Sequence, residues 1–447
     1  METTFGESAS TVGALRLPPG PDLPADQQAR LWIERPLELL DACAARFGDV
    51  FTLELGANGP TVMFGDPAGI REIFRTPASS YECRPFNEGY RIAMGDHALF
   101  LQDGSEHRRI KCAATSALGH EGMEAHAIAI ARTAAEMFDT ALGDRQEATV
   151  ALRPLFHEMA VRMLSALIFG DRREAADRMV AWFRAEVWRD TRAWKPWAGL
   201  HRLRPRLVAW ITDELNLRRS ASGSDRALDL LDRLLTAHDA DGRPLSDAEI
   251  IDQVRTLTIT AVDPIAFALT WLLAHVAAAP GVQNTARAEV EMSLGDAWTA
   301  DPTEIVRLPY LSATCQELLR MHPVLPTASG RRLTEAREFA GHKLPAGATA
   351  APCAYLVHRR PDLYPEPMTF RPERFLEHRF GLHEYLPFGG GARRCLGTTL
   401  TPMSMQIVLA LVVSRWQIAP GASGGADIRY GTLVGPPEGL TIRFGPR

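Results

Sequence analysis

Cys395 is the residue whose type and surroundings point most directly to chemistry, because a glycine-rich loop precedes it and an apolar stretch of helical character, residues 396–416, follows. The run reads Phe388-Gly389-Gly390-Gly391-Ala392-Arg393-Arg394-Cys395-Leu396-Gly397. Backbone N–H groups and the dipole at a helix N-terminus favour a thiolate over a thiol. A cysteine after such a loop is by itself more often a buried structural thiol. Thiolate is nevertheless the form that binds iron, and cysteine ligation of haem iron favours O–O cleavage, so the context predicts a proximal haem ligand.

The neighbours of Cys395 suit contact with a flat macrocycle. Glycine lets the backbone approach closely and adopt positive φ angles. Phe388 would cover the sulfur, and Arg393 would reach a haem propionate as a charge-assisted hydrogen-bond donor. The spacing Phe-x-x-Gly-x-x-x-Cys-x-Gly resembles the signature of the cytochrome P-450 haem-thiolate family.

Two further motifs stand in the order of that family. Glu317 and Arg320 lie at i, i+3 in a predicted helix, residues 311–321, although such pairs are usually solvated surface ion pairs. Arg374 belongs to the run Phe370-Arg371-Pro372-Glu373-Arg374-Phe375, which resembles the family's second arginine segment. The resemblance implies that Glu317, Arg320 and Arg374 form a buried triad that holds the loop of Cys395 and has a structural role.

The resemblance extends over the whole chain and implies haem b as the cofactor. A predicted helix opens at Asp103, and in the family its histidine, here His107, contacts a propionate together with the residue four positions later. Lys111 occupies that second position, where arginine is common, so His107 is the better candidate. Arg331 resembles the arginine that reaches the other propionate, and the adjacent Arg332 is its competitor.

The chain departs from the family in a long predicted helix, residues 247–279. The segment reads Thr260-Ala261-Val262-Asp263-Pro264-Ile265, where the family places an acid followed by threonine. In the family this acid–alcohol pair is thought to organise water and deliver protons for dioxygen cleavage, a general-acid task. The resemblance therefore implies a proton-relay role for Asp263. Thr260, one turn earlier, would supply a hydroxyl unless it bonds its own i−4 carbonyl, as helical threonines often do.

Pro264 leaves two interpretations open. Proline has no N–H, so it removes the hydrogen bond to the Thr260 carbonyl and favours a kink. One interpretation is that Pro264 only fixes a kink that family members already have at this place. The other is a change in chemistry, in which a water or a hydroxyl held by the substrate replaces the missing threonine.

Apolar periodicity predicts a mainly α fold with a minor β region. The resemblance implies the cytochrome P-450 fold, with haem between the long central helix and the loop and helix of Cys395. No linker or low-complexity segment divides the chain, so we expect one domain over residues 1–447, with 1–24 as an extended N-terminal segment. Predicted helices are 152–169, 175–188, 206–217, 227–237 and 247–279. A first strand pair is predicted at 50–55 and 61–64, and short β-type segments that flank turns are predicted within 332–348 and 439–444.

Composition excludes several classes of protein. A net charge of −5 offers no basic tail for nucleic acid. The six cysteines form no CxxC pair, which favours a reducing cytoplasm. Residues 1–17 lack the charged start and apolar core of a signal peptide, and no apolar anchor is evident. These features predict a cytoplasmic, bacterial-type member without a membrane anchor, and we expect a monomer.

The resemblance implies a monooxygenase that inserts one oxygen atom from O2 into a hydrophobic organic substrate by hydroxylation or epoxidation. Apolar lining with scattered polar groups suits a terpenoid, polyketide or fatty-acyl secondary metabolite. The segments that would line the pocket are 83–100, 182–210, Ala261 with its neighbours, 325–329 and 431–435. Five tryptophans fall in the lid-like part of this set, although most such residues serve packing: Trp182, Trp188, Trp194, Trp197 and Trp210.

Electron supply follows from what the chain lacks. It contains no GxGxxG dinucleotide motif and has no room for a fused flavin domain after Cys395. A separate ferredoxin or flavodoxin with its reductase is therefore expected, and Arg394 is a candidate docking contact. One alternative is a haem-thiolate peroxygenase or isomerase-type enzyme, which tolerates loss of the threonine. Another is a non-catalytic haem sensor, which the retained Asp263 disfavours.

Overall fold

The structure is a computed structural model. It describes residues 7–8, 11–12, 15–56, 59–119, 123–143, 145–188, 196–220, 229–239, 241–295, 301–422, 428–430 and 432–447. Trp194 and Gly431 lie outside these residues, and so does the side chain of Trp197. The described parts of the predicted N-terminal segment 1–24 include short strands.

Helices dominate the fold and small sheets lie beside them, which confirms the predicted mainly α class with a minor β region. The helices are α1 Ala25–Glu34, α2 Pro36–Phe47, α3 Pro67–Arg75, α4 Arg84–Asn87, α5 Arg91–Met94, α6 Gly104–Ala117, α7 Met123–Leu142, α8 Leu152–Phe169, α9 Arg173–Trp182, α10 Pro196–Ser220, α11 Leu230–Thr236, α12 Asp247–Ala278, α13 Pro280–Leu294, α14 Pro302–Ile305, α15 Pro309–Met321, α16 Ala354–Val357, α17 Arg374–Glu377 and α18 Leu400–Arg415.

The strands are short, and the largest sheet has the order β5-β6-β12-β9-β7. Within it β6 and β12 are parallel and the other pairs are antiparallel. The first predicted strand pair is confirmed by β5 and β6. The strands are β1 Glu7–Ser8, β2 Thr11–Val12, β3 Leu15–Arg16, β4 Gly20–Pro21, β5 Val50–Glu54, β6 Pro60–Phe64, β7 Tyr81–Glu82, β8 Ala148–Ala151, β9 Arg331–Leu333, β10 Arg337–Phe339, β11 His342–Leu344, β12 Thr349–Pro352, β13 Gln417–Pro420, β14 Ile428–Tyr430, β15 Leu433–Gly435 and β16 Thr441–Gly445.

Helix α12 forms the centre of the fold. It begins with a capping box in which the Ser246 side chain accepts from the Glu249 N–H and the Glu249 carboxylate accepts from the Ser246 N–H. Its later turns are apolar on most faces, as expected for a helix that other helices surround. Helices α8, α10, α15 and α18 all contact it, and the helix continues past Pro264 to Ala278.

The predicted continuous helix 396–416 is wrong at its beginning. A 3₁₀ turn, Leu396–Thr398, follows Cys395, and α18 begins only at Leu400. Pro402 explains the boundary, because proline lacks the N–H that an interior α-helical position must donate and is tolerated in a first turn. The sulfur of Cys395 therefore faces a tight turn at the entrance of the helix.

The helices between α8 and α12 also differ from the predicted bounds. The predicted helix 175–188 divides into α9 and a π-helical turn, Phe183–Val187. Helix α10 extends beyond the predicted 206–217 at both ends. Its last turn is held by ion pairs, in which Arg218 binds Asp229 at 2.6 Å, and apolar periodicity carries no signal of such contacts.

Two helical segments of the described chain are long and apolar enough to cross a membrane by composition, namely α12 and residues 396–415. More than half of the apolar window of each is buried inside the protein. Packing in the core accounts for this composition, because a helix surrounded by other elements is apolar on most faces.

Candidate active site

The loop before Cys395 is held close to helix α3. The Cys395 N–H donates to the Phe388 carbonyl over 3.0 Å, and Gly389 and Gly391 have φ angles of 64° and 63°. A Cβ atom on Gly391 would lie 2.4 Å from the carbonyl oxygen of Phe74. Glycine is therefore required at both positions because of the positive φ angles, and at Gly391 also because of the close approach to α3. Both requirements come from packing within the protein.

The Cys395 side chain is accessible, yet the surrounding protein desolvates its thiol. Desolvation raises the pKa of this thiol. The Gly397 N–H, which donates to the sulfur over 3.2 Å, and the charges of Lys111 and Arg394 act in the opposite direction. A metal ion bound to the sulfur would itself deprotonate the thiol.

Arg331 is turned towards this loop and Arg332 is not. Arg331 is almost completely buried, and its Nη2 donates to the Gly390 carbonyl over 2.8 Å. Desolvation lowers its pKa, and its Nε atom has no hydrogen-bond partner among the described residues. Arg332 follows on β9 with partial exposure, because successive side chains on a strand point to opposite faces. The geometry favours Arg331 as the cofactor contact.

Arg393 and His107 lie together beside the loop. Arg393 donates to the Gln102 carbonyl over 2.6 Å and pairs with Asp103, while its Nε is buried without a partner. His107 is buried, and desolvation, followed by the charges of Arg393 and Lys111, lowers its pKa to about 3. His107 is therefore a neutral imidazole, which donates from one nitrogen only.

Lys111 contacts the backbone of the loop that carries Cys395. Its Nζ donates to the Ala392 carbonyl over 2.5 Å and to the Arg394 carbonyl over 2.8 Å. Desolvation lowers its pKa to about 8. These contacts hold the backbone next to Cys395, so in this structure Lys111 binds the loop.

These residues fit haem b. The buried Nε atoms of Arg331 and Arg393 are donors without partners, which is costly unless an acceptor is supplied. The two propionates of haem b are acceptors that form charge-assisted hydrogen bonds with guanidinium groups. Cys395 would offer one sulfur ligand to the iron, and Arg331 binds the carbonyl of Gly390 in the same loop.

The three residues of the expected triad meet in the core. Arg320 donates twice to Glu317, over 2.7 and 2.9 Å, and Arg374 Nε donates to the same carboxylate over 3.0 Å. The side chains of Glu317 and Arg320 are completely inaccessible to solvent. The pair is therefore not a solvated surface pair.

His358 joins this triad to the Cys395 loop, and nothing in the sequence pattern singled it out. Its Nε2 accepts from the Leu386 N–H over 2.9 Å, and Gly389 in turn bonds the Leu386 carbonyl. Because Nε2 accepts, Nδ1 carries the hydrogen and donates to the Arg320 carbonyl over 3.1 Å. Desolvation holds the pKa of His358 well below its usual value, which agrees with a neutral ring.

Asp263 has a partner that the sequence did not reveal. His157 of α8 places its Nε2 3.1 Å from the Asp263 carboxylate. Thr260 donates its hydroxyl to the Thr256 carbonyl over 2.8 Å, the competing bond that helical threonines often make. Pro264 cannot donate to the Thr260 carbonyl, so that oxygen lacks its usual helical partner.

Several of the predicted pocket segments adjoin one another. The Tyr90 hydroxyl lies 3.0 Å from that of Thr432, and the Val434 N–H donates to the Val324 carbonyl over 2.8 Å. Phe267, Val324 and Leu433 form one apolar cluster. Trp182 and Trp210 pack edge to face with ring centres 5.3 Å apart, which indicates a packing role for this pair.

Comparisons with known proteins agree with the site. Residues 18–443 match the family model for cytochrome P450. The chain is 31% identical to cytochrome P450 135B1 of Mycobacterium tuberculosis over 97% of its length and 92% of that protein. It is 28% identical to cyclooctatin synthase of Streptomyces melanosporofaciens over 95% and 93%. The solved structure of retinoic acid bound cyanobacterial CYP120A1 has a TM-score of 0.80 and 21% identity, covering 93% of this chain and 96% of that one.

Proposed function

Because this chain belongs to the cytochrome P450 family and is therefore a haem b-binding monooxygenase, we propose that it inserts one oxygen atom of O2 into a hydrophobic organic substrate. Hydroxylation and epoxidation are the two reactions expected. The observation that carries the proposal is the desolvated Cys395 thiol at the end of a loop whose neighbours Arg331 and Arg393 have buried Nε donors without partners among the described residues. Haem held by Cys395 supplies thiolate-assisted O–O cleavage when bound.

The chain's own residues hold the cofactor and provide a proton. Cys395 would bind the iron, and Phe388 of the same loop would cover the sulfur. His107, Arg331 and Arg393 would bind the propionates. Asp263 acts as the general acid, and its carboxyl group delivers a proton to the reacting oxygen. The carbonyl of Thr260, freed by Pro264, accepts a hydrogen bond from a water or from a substrate hydroxyl near Asp263.

The substrate is proposed to be an apolar molecule with few oxygen atoms, as expected for a terpenoid, polyketide or fatty-acyl secondary metabolite. The cluster of Phe267, Val324 and Leu433 offers apolar contact, and the neighbouring hydroxyls of Tyr90 and Thr432 offer polar contact. The similarity to cyclooctatin synthase over nearly the whole chain supports a role in secondary metabolism.

Electrons are proposed to come from a separate ferredoxin or flavodoxin with its reductase. Arg394 is exposed next to Cys395, where an acidic partner would meet a positive charge at a short distance from the iron ligand. We propose a monomer in the cytoplasm, in keeping with the free thiols of Cys43, Cys83, Cys112, Cys315, Cys353 and Cys395.

A second candidate function is a peroxygenase or isomerase-type enzyme, which the Thr260 hydrogen bond and Pro264 favour because no free alcohol follows Asp263. Peroxide brings its own electrons and protons, whereas dioxygen needs both from outside. The deciding experiment measures product formed with a ferredoxin and reductase and product formed with hydrogen peroxide, using substrates chosen by their effect on the haem absorption spectrum. Higher turnover with reductase supports the monooxygenase function. Turnover that occurs with peroxide but not with reductase overturns that function. A protein that gives no product either way but binds ligands is a sensor.

A further inference from the structure

His157 and Asp263 form a buried pair across the contact of α8 and α12. The His157 Nε2 and Asp263 Oδ1 atoms are 3.1 Å apart, with 7% of the His157 side chain and 15% of the Asp263 side chain accessible. The two residues are 106 positions apart in the chain. Their contact is therefore produced by the packing of two helices and does not arise from local sequence.

The other nitrogen of His157 determines where the hydrogen atoms lie. Nδ1 is 2.8 Å from the carbonyl oxygen of Arg153, which can only accept. Nδ1 therefore carries a hydrogen and donates it. A proton at the Nε2 contact makes the pair either imidazolium with carboxylate or neutral imidazole with carboxylic acid.

Two uncharged aromatic rings pack against the imidazole of His157. The rings of Trp188 and Phe267 meet the imidazole edge to face, with ring centres 5.8 and 5.6 Å away. The Arg153 guanidinium pairs with Glu438 over 2.8 Å and lies 5.9 Å from the Phe267 ring. A hydrogen bond is electrostatically stronger in such a weakly polar environment than in water.

We propose that His157 is a positioning residue that shares this proton with Asp263 and supplies the proton that Asp263 delivers. The proton at Nε2 moves to the Asp263 carboxyl group, which leaves a neutral imidazole and a carboxylic acid. When the carboxyl group delivers this proton, the pair changes from neutral to one negative charge. A proton from solvent water then returns the pair to its first state. The inference rests on the proposed monooxygenase function, and it explains how a chain with proline at position 264 retains proton delivery.

The first test replaces His157 with Gln, which keeps an N–H donor but cannot exchange a proton at neutral pH. We expect unchanged haem loading and substrate-binding spectra, with product formed per reducing equivalent reduced by about tenfold or more, as for loss of a general-acid step. Peroxide-driven turnover should change much less. His275→Gln is the control, because it removes a partly buried histidine of α12 that pairs with His322 at 2.8 Å, without touching Asp263.

The second test does not depend on activity. In haem-loaded protein with ¹⁵N-labelled histidine, studied as the diamagnetic reduced carbon monoxide complex, the Nε2 chemical shift reports whether that nitrogen is protonated. We expect Asp263→Asn to move the His157 Nε2 signal towards the unprotonated value and leave Nδ1 protonated. This measurement remains decisive if His157→Gln folds poorly.

Two results would overturn the proposal. One is equal coupling of product to electrons in His157→Gln and wild type, and the other is a His157 Nε2 signal that Asp263→Asn leaves in place. Failure of the proposed function is distinguishable, because wild type would then give no reductase-driven product with any bound substrate while the ¹⁵N signals still reported proton sharing.

Discussion

Cys395 and Cys112 provide a matched pair of thiols at the scale of single residues. Both are exposed and unpaired, but only Cys395 receives an N–H donor at its sulfur, from Gly397. Cys395→Ala should abolish the strongly red-shifted Soret band of the reduced carbon monoxide complex, because no thiolate remains to bind the iron. Cys112→Ala should retain it. The absorption spectrum decides, and a red-shifted band in Cys395→Ala would disprove the assignment.

Arg331 and Arg332 offer a second comparison between neighbouring residues. Arg331→Met should weaken haem binding by about 10- to 100-fold, since a hydrogen bond to a charged group contributes about 1.5–3 kcal/mol. Arg332→Met should have a much smaller effect, because Arg332 is on the other face of β9.

Haem transfer to an acceptor protein measures the loss in both variants. Equal haem loss from the Arg331 and Arg332 variants would contradict the assignment.

At the scale of elements, α15 and the segment of α17 are joined by the Glu317 carboxylate. Glu317→Ala leaves Arg320 and Arg374 buried without a counter-charge, and we expect a loss of about 3–5 kcal/mol in the free energy of unfolding. The same change at Glu304 is the control, because Glu304 and Arg307 form an exposed i, i+3 pair. An exposed pair contributes about 0–1 kcal/mol.

Urea unfolding of haem-loaded protein measures the difference between the Glu317 and Glu304 variants. The haem spectrum of Glu317→Ala should also change, because His358 links Arg320 to the loop of Cys395 through Leu386. Similar unfolding curves for both variants would show that the triad adds no more than a surface pair.

At the scale of the whole molecule, buried neutral histidines make stability depend on pH. Desolvation lowers the pKa of His275 to about 4 and that of His107 to about 3. An unfolded histidine takes up a proton near pH 6.5, so the unfolded state binds more protons than the folded state between about pH 4 and 6.5. Stability is therefore highest above pH 6.5 and is lost as the pH falls through this interval.

His275→Gln should reduce the slope of unfolding free energy against pH by up to about 1.4 kcal/mol per pH unit in this interval. His201→Gln is the control, since His201 is exposed on α10. Urea unfolding at a series of pH values gives the slopes. A slope for His275→Gln equal to that of wild type would mean that His275 is not held neutral in the folded protein.

Much of the fold and site follows from the sequence, because the informative signals are local. The role predicted for Cys395 depends on the residues on either side of it. The i, i+3 spacing of Glu317 and Arg320 places both on one face of a helix. Apolar periodicity located α8 and α12 for the same reason. Predicted helix boundaries were wrong where a proline or ion pairs determine where a helix begins or ends, as at Pro402 and Arg218.

The tertiary structure alone decided which distant groups meet. Local sequence does not indicate that His157 contacts Asp263 or that His358 accepts a hydrogen bond from Leu386. Nor does it indicate that Lys111 donates to carbonyl groups of the Cys395 loop. Each contact joins different elements, so it depends on how helices and strands pack. Alternation along a strand shows that Arg331 and Arg332 face opposite ways, but only the packed sheet shows which of the two faces the interior.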